Sequence, residues 1–143
     1  MRALALLLPL ALAAMPAAAW SPETALAIAV DAASIAPPDL ERQIERHEKA
    51  YKAALLDEAR QPSAAGQPLD RAIELTAQRA IGMINTHQPF EDIVRQLAAT
   101  AYYVASANNP LIVGSSDYNE SSYFGDYLVY VDSERAGFAV ASY

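Results

Sequence analysis

Residues 39–60, DLERQIERHEKAYKAALLDEAR, form the most clearly amphipathic stretch of the chain and decide its fold class. The larger side chains recur three or four positions apart, at Leu40, Ile44, His47, Tyr51 and Leu55. This spacing places them on one face of a helix, and charged residues fill most of the other positions. Two prolines precede the stretch, and a loop, QPSAAGQP, follows it. The stretch is therefore predicted to be one amphipathic helix.

Helical periodicity continues on both sides of this segment, interrupted by proline-containing breaks. Further helices are predicted at 23–36, 70–86, 89–108 and 121–135. The helix at 70–86 is expected to bury one face, made of Ile73, Ala77, Ala80, Ile81 and Ile84. The last helix contains Val129-Tyr130-Val131, which could also support a strand. Helices joined by short connections predict an all-α fold, a compact bundle of about five helices.

The first nineteen residues have the pattern of a signal peptide. Arg2 supplies the positive charge at the start of the pattern, and a leucine-rich run follows it. Ala17-Ala18-Ala19 ends the pattern with the small side chains that signal peptidase selects. Cleavage there would make Trp20 the N-terminal residue and leave 20–143 as a single helical domain. We therefore expect an exported protein, periplasmic or secreted, with no membrane span after cleavage. A retained leader that acts as an N-terminal anchor is the alternative.

The composition excludes several classes of function. The chain has 143 residues, a formal net charge of −7 and no cysteine. An acidic chain is repelled by nucleic-acid backbones, so no nucleic-acid partner is expected. Without cysteine the chain has no disulfides, thiolate metal sites or cysteine nucleophiles. Its five glycines form neither a GxSxG elbow nor a phosphate-binding loop.

Residues 97–114, LAATAYYVASANNPLIVG, carry the most specific motif of the sequence. They resemble the signature of the zinc-dependent phospholipase C and single-strand nuclease superfamily. In that signature a helix carries a histidine and, four residues later, an aspartate, followed by Asn-Gln-Pro-Leu-His. Residues four apart lie one turn apart on the same helix face, so both can reach one ion. The match in this chain is Asn108-Asn109-Pro110-Leu111, near the end of the predicted fourth helix.

The resemblance implies a metal pocket that has lost its ligands. The histidine, the aspartate and the second histidine fall on Tyr102, Ser106 and Ile112, none of which suits zinc at neutral pH. The superfamily also uses an N-terminal tryptophan, here Trp20, and a nearby histidine whose place is taken by Ala25. These five residues define the degenerate pocket. No catalytic or metal-binding residue is expected in it.

Other candidate residues are weaker. The superfamily's mid-chain aspartate and histidine would lie near 63–67, which contains neither residue. In each of the pairs Asp57-Glu58 and Glu91-Asp92, the two carboxylates are adjacent in sequence and do not face each other on a helix. Both pairs are therefore predicted to be solvated surface.

The two histidines and the tyrosines have structural interpretations as well as functional ones. His47 is predicted to be a half-buried or surface residue within a helix, since no second strong ligand shares its face. His87 could form a weak site with Glu91 and Asp92 or simply close the third helix. A stripe on the last helix, Tyr123, Tyr127 and Tyr130, is expected to be either a packing surface or an aromatic, hydrogen-bonding cleft.

We therefore interpret the chain as a degenerate and shortened relative of zinc-dependent phospholipase C, similar to the N-terminal part of those enzymes. It is expected to be an exported, non-catalytic binding or structural module, a pseudoenzyme that needs no cofactor. Its partner would be a small molecule, a lipid or an envelope protein. The alternative is a zinc-dependent phosphodiesterase, of phospholipase C or nuclease type, that works with a reduced metal site.

Overall fold

The computed structural model describes residues 20–113 and 122–137, which contain helices and no strand. The helices are α1 (Pro22–Ser34), α2 (Pro38–Arg46), α3 (Glu48–Arg60), α4 (Leu69–Asn85), α5 (Phe90–Ala107), α6 (Pro110–Val113) and α7 (Phe124–Glu134). A 3-10 turn at Arg135–Gly137 continues α7. The predicted all-α fold is confirmed. The predicted signal peptide, 1–19, lies outside the described residues.

Six of the described helices have nine residues or more, where the sequence predicted about five in all. The difference arises at His47, which divides the predicted helix 39–60 into α2 and α3. Its dihedral angles, φ −114° and ψ 28°, depart from helical values, yet its N–H still donates to the Gln43 carbonyl at 3.1 Å. The strand that Val129–Val131 could have formed is not observed, since these residues lie within α7.

Proline and serine set the helix starts. Ser21 caps α1, because its Oγ accepts the Thr24 N–H at 3.1 Å, and Pro22 occupies the first turn. Pro38 begins α2, and Pro89 directly precedes α5. A proline loses nothing at the start of a helix, since the N–H it lacks would have no partner there.

Helix α5 is the centre of the bundle and packs against α4, α3 and α1. Its buried residues are Ile93, Val94, Ala98, Ala99, Tyr102, Tyr103, Ala105 and Ser106. Ala25 and Ala29 of α1 and Leu55 of α3 complete the core around it. Because several of these side chains are small, the helix backbones can approach closely, and the tyrosines fill the wider spaces between them.

The prediction for the buried face of α4 is right for Ala80 and for Ile73, which packs against the core, and wrong for Ile81 and Ile84. Ala72, Thr76 and Ala80 are buried, whereas Ile81 and Ile84 are 56% and 50% exposed. The three buried side chains are small and lie four residues apart, so they form a flat strip along which α4 can approach α5. None of the described helices combines the length and the apolar character needed to cross a bilayer.

Candidate functional site

Trp20 lies in the interior, where it joins the start of α1 to the end of α5. Its indole N–H donates a hydrogen bond of 2.7 Å to the Ala105 carbonyl, and its ring lies 6.1 Å from that of Tyr127. A buried indole N–H needs such a partner, because leaving it without one would cost about 1–3 kcal/mol. Trp20 therefore fixes the position of the chain just before α1.

The other four positions of the degenerate pocket lie in the same region. Ala25 is fully buried, Tyr102 and Ser106 are 5% and 2% exposed, and Ile112 packs against the core from one side. Trp20, Ala25 and Tyr102 belong to one core cluster. The structure thus brings together residues that are as far as 92 positions apart in sequence.

The polar groups of this region are occupied by the protein itself. Ser106 Oγ donates to the Tyr102 carbonyl one turn earlier, at 2.8 Å. Burial raises the pKa of Tyr102, so its phenol stays protonated at neutral pH. A metal would need the phenolate, and the other side chains in the region are uncharged. In chemical terms the region is a packed core that contains two hydroxyl groups.

A buried carboxylate that the sequence analysis missed lies beside this region. Glu58, near the end of α3, is only 7% exposed, whereas the side chain of its neighbour Asp57 is 74% exposed. The prediction that the pair is solvated surface is therefore wrong for Glu58. Its Oε1 accepts two hydrogen bonds from Ser63, one from the backbone N–H at 2.5 Å and one from Oγ at 2.8 Å.

Tyr103 completes this arrangement. Its hydroxyl accepts the Ala64 N–H at 2.8 Å. Burial, followed by a hydrogen bond to Glu58, raises the pKa of Tyr103 to about 12. Together, Glu58 and Tyr103 hold the loop after α3 through its backbone. The sequence gives no local signal for this cluster, because Tyr103 is 45 positions away from Glu58.

The two histidines have structural positions. His47 is the bend between α2 and α3. His87 is exposed and has a left-handed backbone with φ of 54°. Its N–H donates to the Ile84 carbonyl and the Gln88 N–H donates to the Met83 carbonyl, both at 3.0 Å. This pair of bonds is a Schellman motif, so His87 closes α4 as the simpler of its two interpretations predicted.

Helix α7 contacts the start of α1 through polar groups and one ring contact, and its Leu128 and Val131 pack partly buried against the core. Ser21 and Thr24 donate hydrogen bonds from their hydroxyls to Asp132 Oδ1, the first at 2.6 Å. These two bonds hold the pKa of Asp132 below its ordinary value. Of the predicted tyrosine stripe, Tyr127 packs toward Trp20, whereas Tyr123 and Tyr130 are exposed.

No group of three or more histidine, cysteine, aspartate or glutamate side chains converges within 20–113 and 122–137. Comparison of the chain with family models, with curated proteins and with solved structures gives no match in any of the three.

Proposed function

We propose that this chain is an exported, non-catalytic relative of the zinc-dependent phospholipase C and single-strand nuclease superfamily. It would act as a binding or structural module in the cell envelope. The observation that supports the proposal is the convergence of Trp20, Ala25, Tyr102 and Ser106 in one buried region. The motif alignment requires these residues to meet, although they are distant in the chain.

The chemistry of the region supports a role without catalysis. Histidine and aspartate ligands would need a cation to offset the cost of burying charge, whereas Ala25, Tyr102 and Ser106 need at most hydrogen bonds. The Ser106 hydroxyl already has a backbone partner, and so does the indole of Trp20. A core built in this way stabilises the fold directly.

A zinc-dependent phosphodiesterase with a reduced site is the second candidate, and one observation favours it. Burial is the main cause of the raised pKa values of Tyr102 and Tyr103, and the nearby carboxylate of Glu58 raises both of them further. Carboxylate oxygen is an accepted zinc ligand. In this second candidate, Glu58 would take the place of a ligand from the mid-chain region, and Ser63 would orient it.

Metal analysis of the purified protein distinguishes the two candidates. We expect substoichiometric zinc and a melting temperature that neither zinc nor a chelator changes, since a ligand stabilises only a folded state that binds it. Stoichiometric zinc that is lost together with stability on chelation, and that Glu58→Gln also removes, would establish the second candidate instead.

Restoring the ligands tests the relationship to the superfamily. The quadruple variant Ala25→His, Tyr102→His, Ser106→Asp and Ile112→His should bind zinc more tightly than the wild type. A triple variant that keeps Ser106 serves as the matched control and should bind more weakly than the quadruple variant. A folded quadruple variant with no gain in zinc affinity would contradict the proposed ancestry. Intact-mass analysis after expression in a secreting host tests cleavage before Trp20.

A further inference from the structure

A groove lies between the C-terminal end of α1, helix α2 and the start of α3. It has a volume of about 410 Å³, within the range of small-molecule sites. The groove exists because α1 packs against α3 and α5 and touches α2 only lightly, after the chain turns at Pro37-Pro38. We call it the α1–α2 groove and define it by its floor residues Val30, Ala33, Ile44 and Tyr51.

The floor of the α1–α2 groove is apolar. Ile44 and Tyr51 are buried beneath it, and Val30 and Ala33 of α1 are half-buried at its side. The Tyr51 hydroxyl points to the Ala29 carbonyl, 3.3 Å away, so the groove is left with the ring and not with a polar group. An apolar ligand body could remove this surface from water at little polar cost.

The rim of the groove has the opposite character. Glu41 and Glu45, one turn apart on α2, and Glu48, at the start of α3, line it together with Lys52. Lys52 is paired with Glu48 at 2.5 Å, which neutralises both charges. Glu41 and Glu45 make no ion pair among the described residues, so the rim keeps two carboxylates that have no direct ion-pair partner. Like charges one helical turn apart repel each other, and a bound cation would relieve that repulsion.

We propose that the α1–α2 groove binds a small amphiphilic cation, a molecule with an apolar body and an amine or ammonium group. The apolar body would lie over Ile44 and Tyr51, and the cationic group would lie between Glu41 and Glu45. Charge complementarity excludes an anionic amphiphile of the same shape. The inference does not depend on the relationship to the zinc enzymes, because none of the five pocket positions lines this groove.

The test uses the full-length chain and two detergents with the same twelve-carbon body. Dodecyltrimethylammonium and dodecyl sulfate are titrated below their micellar concentrations by isothermal titration calorimetry. We expect saturable binding of one cation per chain, with methyl chemical-shift changes centred on Ile44 and Val30. Dodecyl sulfate should bind at least about tenfold more weakly, because its charge has the same sign as the rim.

Two variants test the charge of the rim and the access to the groove separately. Glu41→Gln with Glu45→Gln should weaken cation binding about two- to thirtyfold, the range for losing two partly exposed ion pairs. The control, Asp126→Asn with Glu134→Gln on α7, removes the same charge elsewhere and should leave the affinity unchanged. Ser34→Trp places a large side chain at the exposed edge of the groove and should abolish binding while both glutamates remain.

Three results would overturn the proposal. The first is equal affinity for the two detergents, and the second is an equal loss in the rim variant and the α7 control. The third is a dimer in light scattering that Ser34→Trp converts to a monomer, which would assign the groove to a second copy of the chain. Zinc analysis has no bearing on any of these results, so the proposal can fail or hold independently of the proposed function.

Discussion

Replacing Glu58 by alanine should destabilise the protein more than any change to the carboxylates on its surface. The side chain is buried, and its Oε1 accepts two hydrogen bonds from Ser63. Hydrogen bonds to a charged group contribute about 1.5–3 kcal/mol each, and relief of the buried charge offsets part of their loss. We therefore expect Glu58→Ala to lower the free energy of unfolding by about 2–4 kcal/mol.

Thermal and urea denaturation followed by circular dichroism at pH 7 measures this change. In a chain of this size 1 kcal/mol corresponds to about 4 °C, so the melting temperature should fall by about 8–16 °C. Asp57→Ala is the matched control, because Asp57 is adjacent, exposed and paired only with Arg60 at 3.7 Å. That variant should change the free energy by no more than about 0.5 kcal/mol.

The isosteric variant tests which property of Glu58 matters. Glu58→Gln keeps an oxygen that can accept both bonds from Ser63, so it should lose about 1 kcal/mol or less. If alanine and glutamine are equally destabilising, the negative charge and not the hydrogen bonding to the loop would be the stabilising feature. If Glu58→Ala and Asp57→Ala have the same effect within about 1 kcal/mol, the loop attachment described above is not important for stability.

Three further predictions follow from local geometry. His87→Gly should stabilise the protein by about 1 kcal/mol, since glycine adopts the left-handed backbone without strain. Gly66→Ala, at φ 79°, should destabilise it by a similar amount for the same reason. Chemical denaturation measures both changes. Asp132 has a lowered pKa, so its carboxylate stabilises the attachment of α7 above its ordinary pKa of 3.8, and this contribution is lost as the pH falls through the lowered value. Asp132→Asn should therefore increase proteolysis of α7 at pH 7 but make progressively less difference below pH 3.8. Trp20→Phe removes the bond to the Ala105 carbonyl and should cost about 1–3 kcal/mol in urea denaturation; no change would mean that the indole N–H is not needed.

The helices were predictable because their determinants are local. Proline, capping serine and helical periodicity fixed most helix ends to within about three residues. The bend at His47 was not predictable from periodicity. The Gln43 carbonyl still accepts the His47 N–H, so the apolar spacing from Ile44 to Tyr51 continues through the bend unchanged. A bend that keeps the spacing of the apolar residues does not change the periodicity from which helices are predicted.

The buried face of α4 shows a second limit of sequence reasoning. Hydrophobicity favoured Ile81 and Ile84, but close packing against α5 buries the small residues Ala72 and Thr76 beside Ala80, which the pattern had predicted correctly. Gln96 of α5 reinforces this packing by donating to the Thr76 carbonyl at 3.2 Å. Side-chain size decides how near two helices can lie, and that distance is a property of the pair. It cannot be read from one helix alone.

The resemblance to the zinc enzymes predicted that Trp20 and Tyr102 would lie in one region, and both belong to the core cluster, as large aromatic side chains often do. The relationship to those enzymes stays a prediction. No motif pointed to Glu58. Adjacent carboxylates do not share a helix face, and Asp57 and Glu58 follow this rule. The rule does not say which of the two side chains points inward. Glu58 points inward because Ser63, in the loop after α3, donates to its carboxylate, and Tyr103 holds the same loop at the Ala64 N–H.

The contacts between α7 and the start of α1 couple the stability of two segments that are far apart in sequence. Helix α7 has no fully buried residue. Its polar and ring contacts go to Trp20, Ser21 and Thr24 around the start of α1, and its partly buried Leu128 and Val131 pack against the core. An element with so little buried surface opens at a lower free energy than the core helices, and it opens as a unit. A change at Ser21 or Thr24 would therefore alter α7 before it alters α5, whereas a change at Trp20 would act on both helices, because its indole contacts both. Hydrogen exchange of α7 should respond to Ser21→Ala while exchange in α5 stays constant, and equal responses in both helices would show that the bundle opens as a whole.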